Sequence, residues 1–275
     1  MIRSMTQPSS LPSPVPSSTD LFAAFDALTP QQVRAKGSMK WTRRPGPAIS
    51  AWVAEMDLGT APAVTEALHR AVDDARFGYM PPPAWEACRA AVIDFHRDAF
   101  GWDIPEGDMS LLPDVLSSLK VVIGRLTRPG SPVIVPTPAY IPFLTIPGLL
   151  DREAIEVPAI RGDGVSSPAW SLDLDGIEAA MAAGAGLLIL CNPWNPVGRV
   201  LSADELDAIA ALSSKYGVIV FSDEIHSPLV LPGGARHTAY ASRPGAEAAL
   251  TFTATAASKG WNIPGLRCAQ LIASG

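Results

Sequence analysis

Residues 186–226 read "GLLILCNPWNPVGRVLSADELDAIAALSSKYGVIVFSDEIH". "GLLILCNP" is a short, unbroken apolar run closed by Asn and Pro, which predicts a strand buried on both faces. "LSADELDAIAALSSKYG" predicts a helix, because Ser202 and Glu205 have capping-box spacing and Gly217 follows the last turn. "GVIVFSDE" is a second buried strand. Strand, helix and strand in this order predict a parallel pair joined by a crossover helix.

The same pattern extends outward. "SPVIVPTP" and "AIEVPA" precede this stretch, and "ALTFTATA" and "RCAQLIAS" follow it. Helices are expected in "TAPAVTEALHRAV", "AWEACRAAVIDFHRDAF" and "DVLSSLKVVIGRL", the last starting near Asp114. In the first of these Thr60 is the expected N-cap and Pro62 sits in the first turn. Val64, Ala67, Leu68, Ala71 and Val72 fall on one face. The fold class is therefore α/β, a three-layer α/β/α arrangement around a mainly parallel sheet. No internal repeat is visible.

Composition agrees with this. The 275 residues are 48% hydrophobic and 17% charged, which describes a core-forming globular chain. The net charge of −6 and the lack of a basic block argue against nucleic acid as a partner. "GLLILC" is too short to span a bilayer, and no signal-peptide h-region opens the sequence. Cys88, Cys191 and Cys268 show no metal spacing and are expected as reduced thiols of a cytoplasmic protein. Residues 1–20 are half Ser and Pro and are expected to form a loose, disordered arm.

In open parallel sheets, ligands bind beyond the carboxyl ends of the strands. Asn192 and Asn195 follow one run, Asp223 closes the next, and Lys259 comes just after "ALTFTATA" in "TATAASKGWNIPGLR", residues 253–267. A lysine avoids such a place unless it is paired or chemically used.

"NPWNPVG", "SDEIH" and "ASKGWNIPGLR", in this order and at these separations, resemble the fold-type I enzymes that use pyridoxal 5′-phosphate (PLP), the aminotransferase class I/II superfamily. "WVAEMDL", "FGYM", "TPAYIPF" and "SDEIHSPLVL" resemble more narrowly its cystathionine β-lyase-like branch of C–S lyases. The resemblance covers about residues 50–275. It implies a PLP-binding large domain over 51–275, and over 21–50 the N-terminal segment of a small domain. The C-terminal part of that small domain is expected to be missing, since the chain stops at Gly275.

The resemblance also implies roles. Lys259 would form a Schiff base with the PLP aldehyde and, once released, take the Cα proton. Asp223 would face the pyridine nitrogen and keep it protonated. Asn195 would donate to the ring O3′. His226 stands where many aminotransferases carry a tyrosine, and is either an O3′ neighbour or a structural histidine. Tyr140 would stack on the ring beside Lys259 at the reacting centre. The backbone of Val115 and Leu116, with Ser117, Ser258 and Arg267, would hold the phosphate. Ala256 occupies a position where the family often has a serine. Tyr79 would reach the phosphate of a neighbouring subunit in a homodimer, or serve only in packing.

Two reactions fit such a site. One is β-elimination from cystathionine or a cysteine S-conjugate, giving thiol, pyruvate and ammonia. The other is transamination. A third reading is a truncated, inactive or regulatory relative, because the family's missing part carries the arginine that grips the substrate carboxylate.

Overall fold

The computed structural model describes residues 18–43, 49–165, 169–229, 231 and 233–275. The arm expected over 1–20 lies outside them as far as residue 17. The chain divides into two compact units, Met1–Gly78 and Tyr79–Gly275.

The first unit holds α1 (Ser18–Asp26), α2 (Pro30–Ala35), α3 (Met39–Thr42) and α4 (Pro62–Asp73). Asp57, from the "EMDL" stretch, accepts from Lys40 Nζ and from Trp41 Nε1, each at 2.8 Å. The cap of α4 falls on Ala61, one residue past the expected Thr60. The residue before a proline is pushed into extended backbone, so Pro62 fixes its predecessor as the boundary. The apolar face of α4 exists, but Leu68 and Val72 on it are exposed.

The second unit contains, in order, α5 (Pro82–Phe100), β1 (Met109–Leu112), α6 (Val115–Leu126), β2 (Val133–Thr137), α7 (Ile141–Leu149), β3 (Ala154–Pro158), β4 (Ile160–Arg161) and β5 (Trp170–Ser171). After these come α8 (Leu174–Ala182), β6 (Leu187–Cys191), α9 (Ala203–Tyr216), β7 (Ile219–Asp223), β8 (Thr251–Thr255), α10 (Ala257–Gly260) and β9 (Ala269–Ser274). Seven strands form one sheet in the order β1-β9-β8-β7-β6-β2-β3, and β4 pairs with β5 in a separate ribbon. The pairs β3/β2, β2/β6, β6/β7 and β7/β8 are parallel, whereas β9 is antiparallel to both β8 and β1.

Side chains alternate across a strand, so each apolar run feeds two cores. Leu188, Leu190, Ile134 and Val220 pack with Ile177 and Met181 of α8 and Leu206 and Ile209 of α9. Leu187, Ile189, Val133, Val135 and Phe221 pack with Leu119 and Ile123 of α6 and Phe143 and Ile146 of α7. The unbroken runs are thus explained, and the three layers follow. The expected capping box forms on α9, where Ser202 and Glu205 satisfy each other's backbone N–H, and Gly217 closes the helix at φ 64°.

Candidate active site

Because β2, β6, β7 and β8 are parallel, their carboxyl ends open on one edge of the sheet. Cys191 is paired with Asp223 and Asp223 with Ala254, which brings the loops after β6, β7 and β8 side by side. Those loops carry Asn195, His226 and Lys259.

Asp223 is the last residue of β7 and is 5% exposed. Ile225 N–H donates to its Oδ1 at 3.1 Å. Burial pushes this carboxyl up to about 7; the Ile225 hydrogen bond opposes the rise, the Glu224 charge adds to it, and the Lys259 charge opposes it. Lys259 also acts on His226, whose imidazole is pulled down first by burial and then by that ammonium. One amine therefore lies within electrostatic reach of both. Lys259 is half-buried on α10, a single helical turn directly after β8. The turn is seated against the loop after β7: a Cβ placed on Gly260 would come 2.7 Å from Pro228 Cβ.

The two asparagines separate. Asn192 is fully buried and spent on the backbone, accepting from Leu201 N–H at 3.0 Å and donating to the Thr238 carbonyl at 3.3 Å. Asn195 is half-buried and lines a cavity of about 570 Å³ together with Pro193, Trp194, His226 and Leu229. Its loop is pinned by Trp194 Nε1, which donates to the Pro138 carbonyl at 2.9 Å. Arg199 holds the far end through two bonds to Glu205, at 2.8 and 2.6 Å.

On the neighbouring helix α6, Asp114 is the N-cap and accepts from Ser117 N–H at 2.7 Å. The first N–H groups of the helix, those of Val115 and Leu116, point out of its N-terminus. Arg267 Nη2 lies 2.5 Å from Asp114 Oδ2, so these anion-binding candidates form one group. Arg267 holds left-handed backbone, φ 49°, an uncommon conformation for a residue with a Cβ. Burial pushes Asp114 up, but the Ser117 hydrogen bonds and the Arg267 charge outweigh it and hold the carboxyl below its usual range. In the sequence Asp114 marks only a helix start; its tie to Arg267 needs the tertiary structure.

Tyr140 caps α7, half-exposed, with its ring edge-on to Phe143 at 5.5 Å. Its phenol is raised by burial and then by the charges of Asp223 and Asp114, so it lies within electrostatic reach of both. Ser258, half-buried on α10, lines a second cavity. Tyr79 stands fully exposed and takes no part in this group within the chain. Among the described residues no cluster of His, Cys, Asp or Glu could hold a metal ion, and no helix is long and apolar enough to cross a membrane.

A buried acid, an amine, an aromatic face and an anion-binding helix start thus converge. Such a set can hold a flat heteroaromatic ring with a protonated nitrogen and an anionic arm.

The family model described as aminotransferase class I and II matches residues 53–274. The chain is 38% identical over 244 residues to a cystathionine beta-lyase of Corynebacterium glutamicum, covering 89% of this chain and 62% of that protein. It is 34% identical over 226 residues to the cystathionine beta-lyase PatB of Bacillus subtilis, covering 82% and 57%. Cystalysin from Treponema denticola, whose crystal structure contains a pyridoxal 5′-phosphate cofactor, superposes with a TM-score of 0.77 at 30% identity, covering 86% of this chain and 60% of that one. The chain spans less than two thirds of the length of each of these relatives.

Proposed function

We propose a function for this chain, which belongs to the aminotransferase class I and II family: it is the cofactor-holding portion of a PLP-dependent C–S lyase that eliminates the β-thiol of cystathionine or a cysteine S-conjugate. The observation that carries the reading is Asp223, a carboxyl buried at the end of a central strand with its proton affinity raised. A pyridinium N–H is the kind of partner that such a carboxylate lacks, and the donor set around it fits the rest of the cofactor. Val115 and Leu116 N–H, the Ser117 and Ser258 hydroxyls and the Arg267 guanidinium suit a phosphate, while Asn195 and His226 suit a phenolic oxygen.

When bound, PLP supplies an aldehyde that links covalently to an amine and a ring that withdraws electrons from a substrate carbanion. The protein's part is then as follows. Lys259 provides the amine and afterwards carries the proton taken from the substrate Cα. Asp223 keeps a proton on the facing nitrogen. Tyr140 covers one face of the ring and sheds water from it. Asp114 orients Arg267 while capping α6. Tyr79, wholly exposed, is available to a second copy of the chain in a homodimer.

Elimination is favoured over transamination by the two cystathionine beta-lyases above, at 38% and 34% identity. Loading the chain with PLP, reducing with borohydride and digesting should leave the cofactor fixed on Lys259. Incubation with L-cystathionine should release pyruvate with no keto acid added. Pyruvate formation that requires an added keto acid would assign transamination, and a protein that takes up no PLP would remove both readings.

A further inference from the structure

Two thiols share the cavity that Ser258 of α10 also lines. Cys88 on α5 and Cys268, the residue before β9, line an apolar cavity of about 370 Å³ with Phe95, Trp261 and Gln270. The Cys88 and Cys268 thiols are close enough to shift each other's proton affinity, and Gln270 Nε2 donates to the Cys268 sulfur at 3.5 Å. Cys268 is exposed and Cys88 partly so. Cys191, in contrast, sits under the Asn195 N–H at the end of β6, where burial drives its thiol upward. The three cysteines are therefore chemically unequal: Cys88 and Cys268 share one cavity, with Cys268 exposed, whereas Cys191 stands apart from them, half-buried and with its thiol pushed upward.

We propose that Cys88 and Cys268 form a peroxide-responsive dithiol, with Cys268 as the attacking thiolate and Cys88 as the resolving thiol. The Cys268 thiolate attacks one oxygen of hydrogen peroxide, the O–O bond breaks, and hydroxide leaves to be protonated to water. Cys268 is then a sulfenic acid. Cys88 attacks that sulfur through its own thiolate, the S–O bond breaks, and a second water leaves. The two cysteines lose two electrons and two protons, and the peroxide is reduced to two waters. Charge supports the assignment of roles. The Cys88 thiol beside it favours the Cys268 thiolate, burial opposes it, and Gln270 assists, leaving this thiol at about 6. The disulfide would fasten α5 to the segment that carries Arg267, beside the candidate site. Nothing in this proposal depends on the proposed lyase chemistry.

The test is peroxide treatment of the 275-residue chain, followed by alkylation, trypsin and mass spectrometry. The expected product joins peptide 77–89 to peptide 268–275 within one chain, with the loss of two hydrogens, leaves Cys191 alkylatable after unfolding, and reverts with dithiothreitol. Cys88→Ser should stop at a Cys268 sulfenic acid that dimedone traps, and Cys268→Ser should abolish fast peroxide consumption. The rate should be near its maximum at pH 7 and fall at pH 5. Three alkylated thiols after treatment, a link between chains, a link to Cys191, or peroxide consumption unchanged in Cys268→Ser would each overturn the proposal.

Discussion

Two neighbouring acids at the end of β7, its last residue Asp223 and the following Glu224, meet opposite fates. Asp223 faces the open group at the sheet edge, and its Oδ1 has only the Ile225 N–H among the hydrogen bonds described above. Glu224 turns to the other side and is wholly buried. It accepts from Ser222 Oγ at 2.8 Å and from Tyr240 N–H at 2.9 Å, while His237 Nε2 lies 2.9 Å from its second oxygen. Phe100 packs edge-on to His237 at 4.8 Å and closes this side. A carboxylate with partners on both oxygens holds structure together, whereas one buried short of partners is destabilising until something binds it. The difference separates the working side of the strand from its supporting side.

The largest expected effect tests the working side. Lys259→Ala should lower pyruvate release by about 10²–10⁴-fold, the range of a positioned proton-transfer group. The urea midpoint of the unloaded chain should move little, since the lysine is half-buried on a single turn. The acids themselves come next. Asp223→Asn should abolish cofactor-dependent activity without loss of stability. Glu224→Gln should destabilise by about 1–3 kcal/mol, because His237 and its neighbours lose a charged acceptor. Equal stability losses in the two variants would erase the distinction.

The acids also differ in pH dependence. The Asp223 carboxyl titrates near 3.8 in the unfolded chain and at about 7 when folded. The folded state therefore binds the extra proton between those values. Its stabilisation is complete below about 3.8 and is lost as pH rises through about 7. Without cofactor, stability should fall over this window by up to about 1.4 kcal/mol per pH unit from this group, and Asp223→Asn should flatten that slope. Urea unfolding at pH 5 and pH 7 measures it.

How much of this was legible in the sequence depends on the kind of signal. The strands of the parallel sheet could be read because burial on both faces leaves unbroken apolar runs, as in "LLILC" and "IVFSD". Strand β1 escaped, since Met109–Leu112 is a short edge strand, half-exposed beyond Met109, with a serine in its middle. Helix α7 was equally hidden: two prolines within "IPFLTIPGL" argue against a helix until packing overrides propensity. At the candidate site, the strand-end placement of Asp223, Asn195 and Lys259 followed from the alternation of elements. The division of labour between Asn192 and Asn195 did not, because it is decided by which side chain the backbone consumes. The Arg267–Asp114 pair and the meeting of Cys88 with Cys268 join segments far apart in the chain, and no local pattern records such contacts.

Two smaller effects sharpen the comparison within the open group. Gly260→Ala drives a methyl into Pro228, a ring that cannot swing aside. It should cost about 1–3 kcal/mol and reduce activity beyond that loss by displacing the lysine turn. Asp114→Asn is the finest test. The amide oxygen still caps α6 through Ser117 N–H, and asparagine and aspartate cap about equally well. Stability should therefore change by less than about 1 kcal/mol, the usual worth of an exposed ion pair. Arg267 loses its anchor but also the carboxylate that competes for it. If the guanidinium is there to be aimed, inorganic phosphate and PLP should bind more weakly to the variant; if the acid only neutralises it, they should bind more tightly. Equilibrium dialysis of both ligands against wild type and variant reads the sign directly, and with it whether Asp114 belongs with Asp223 on the working side or with Glu224 on the supporting one.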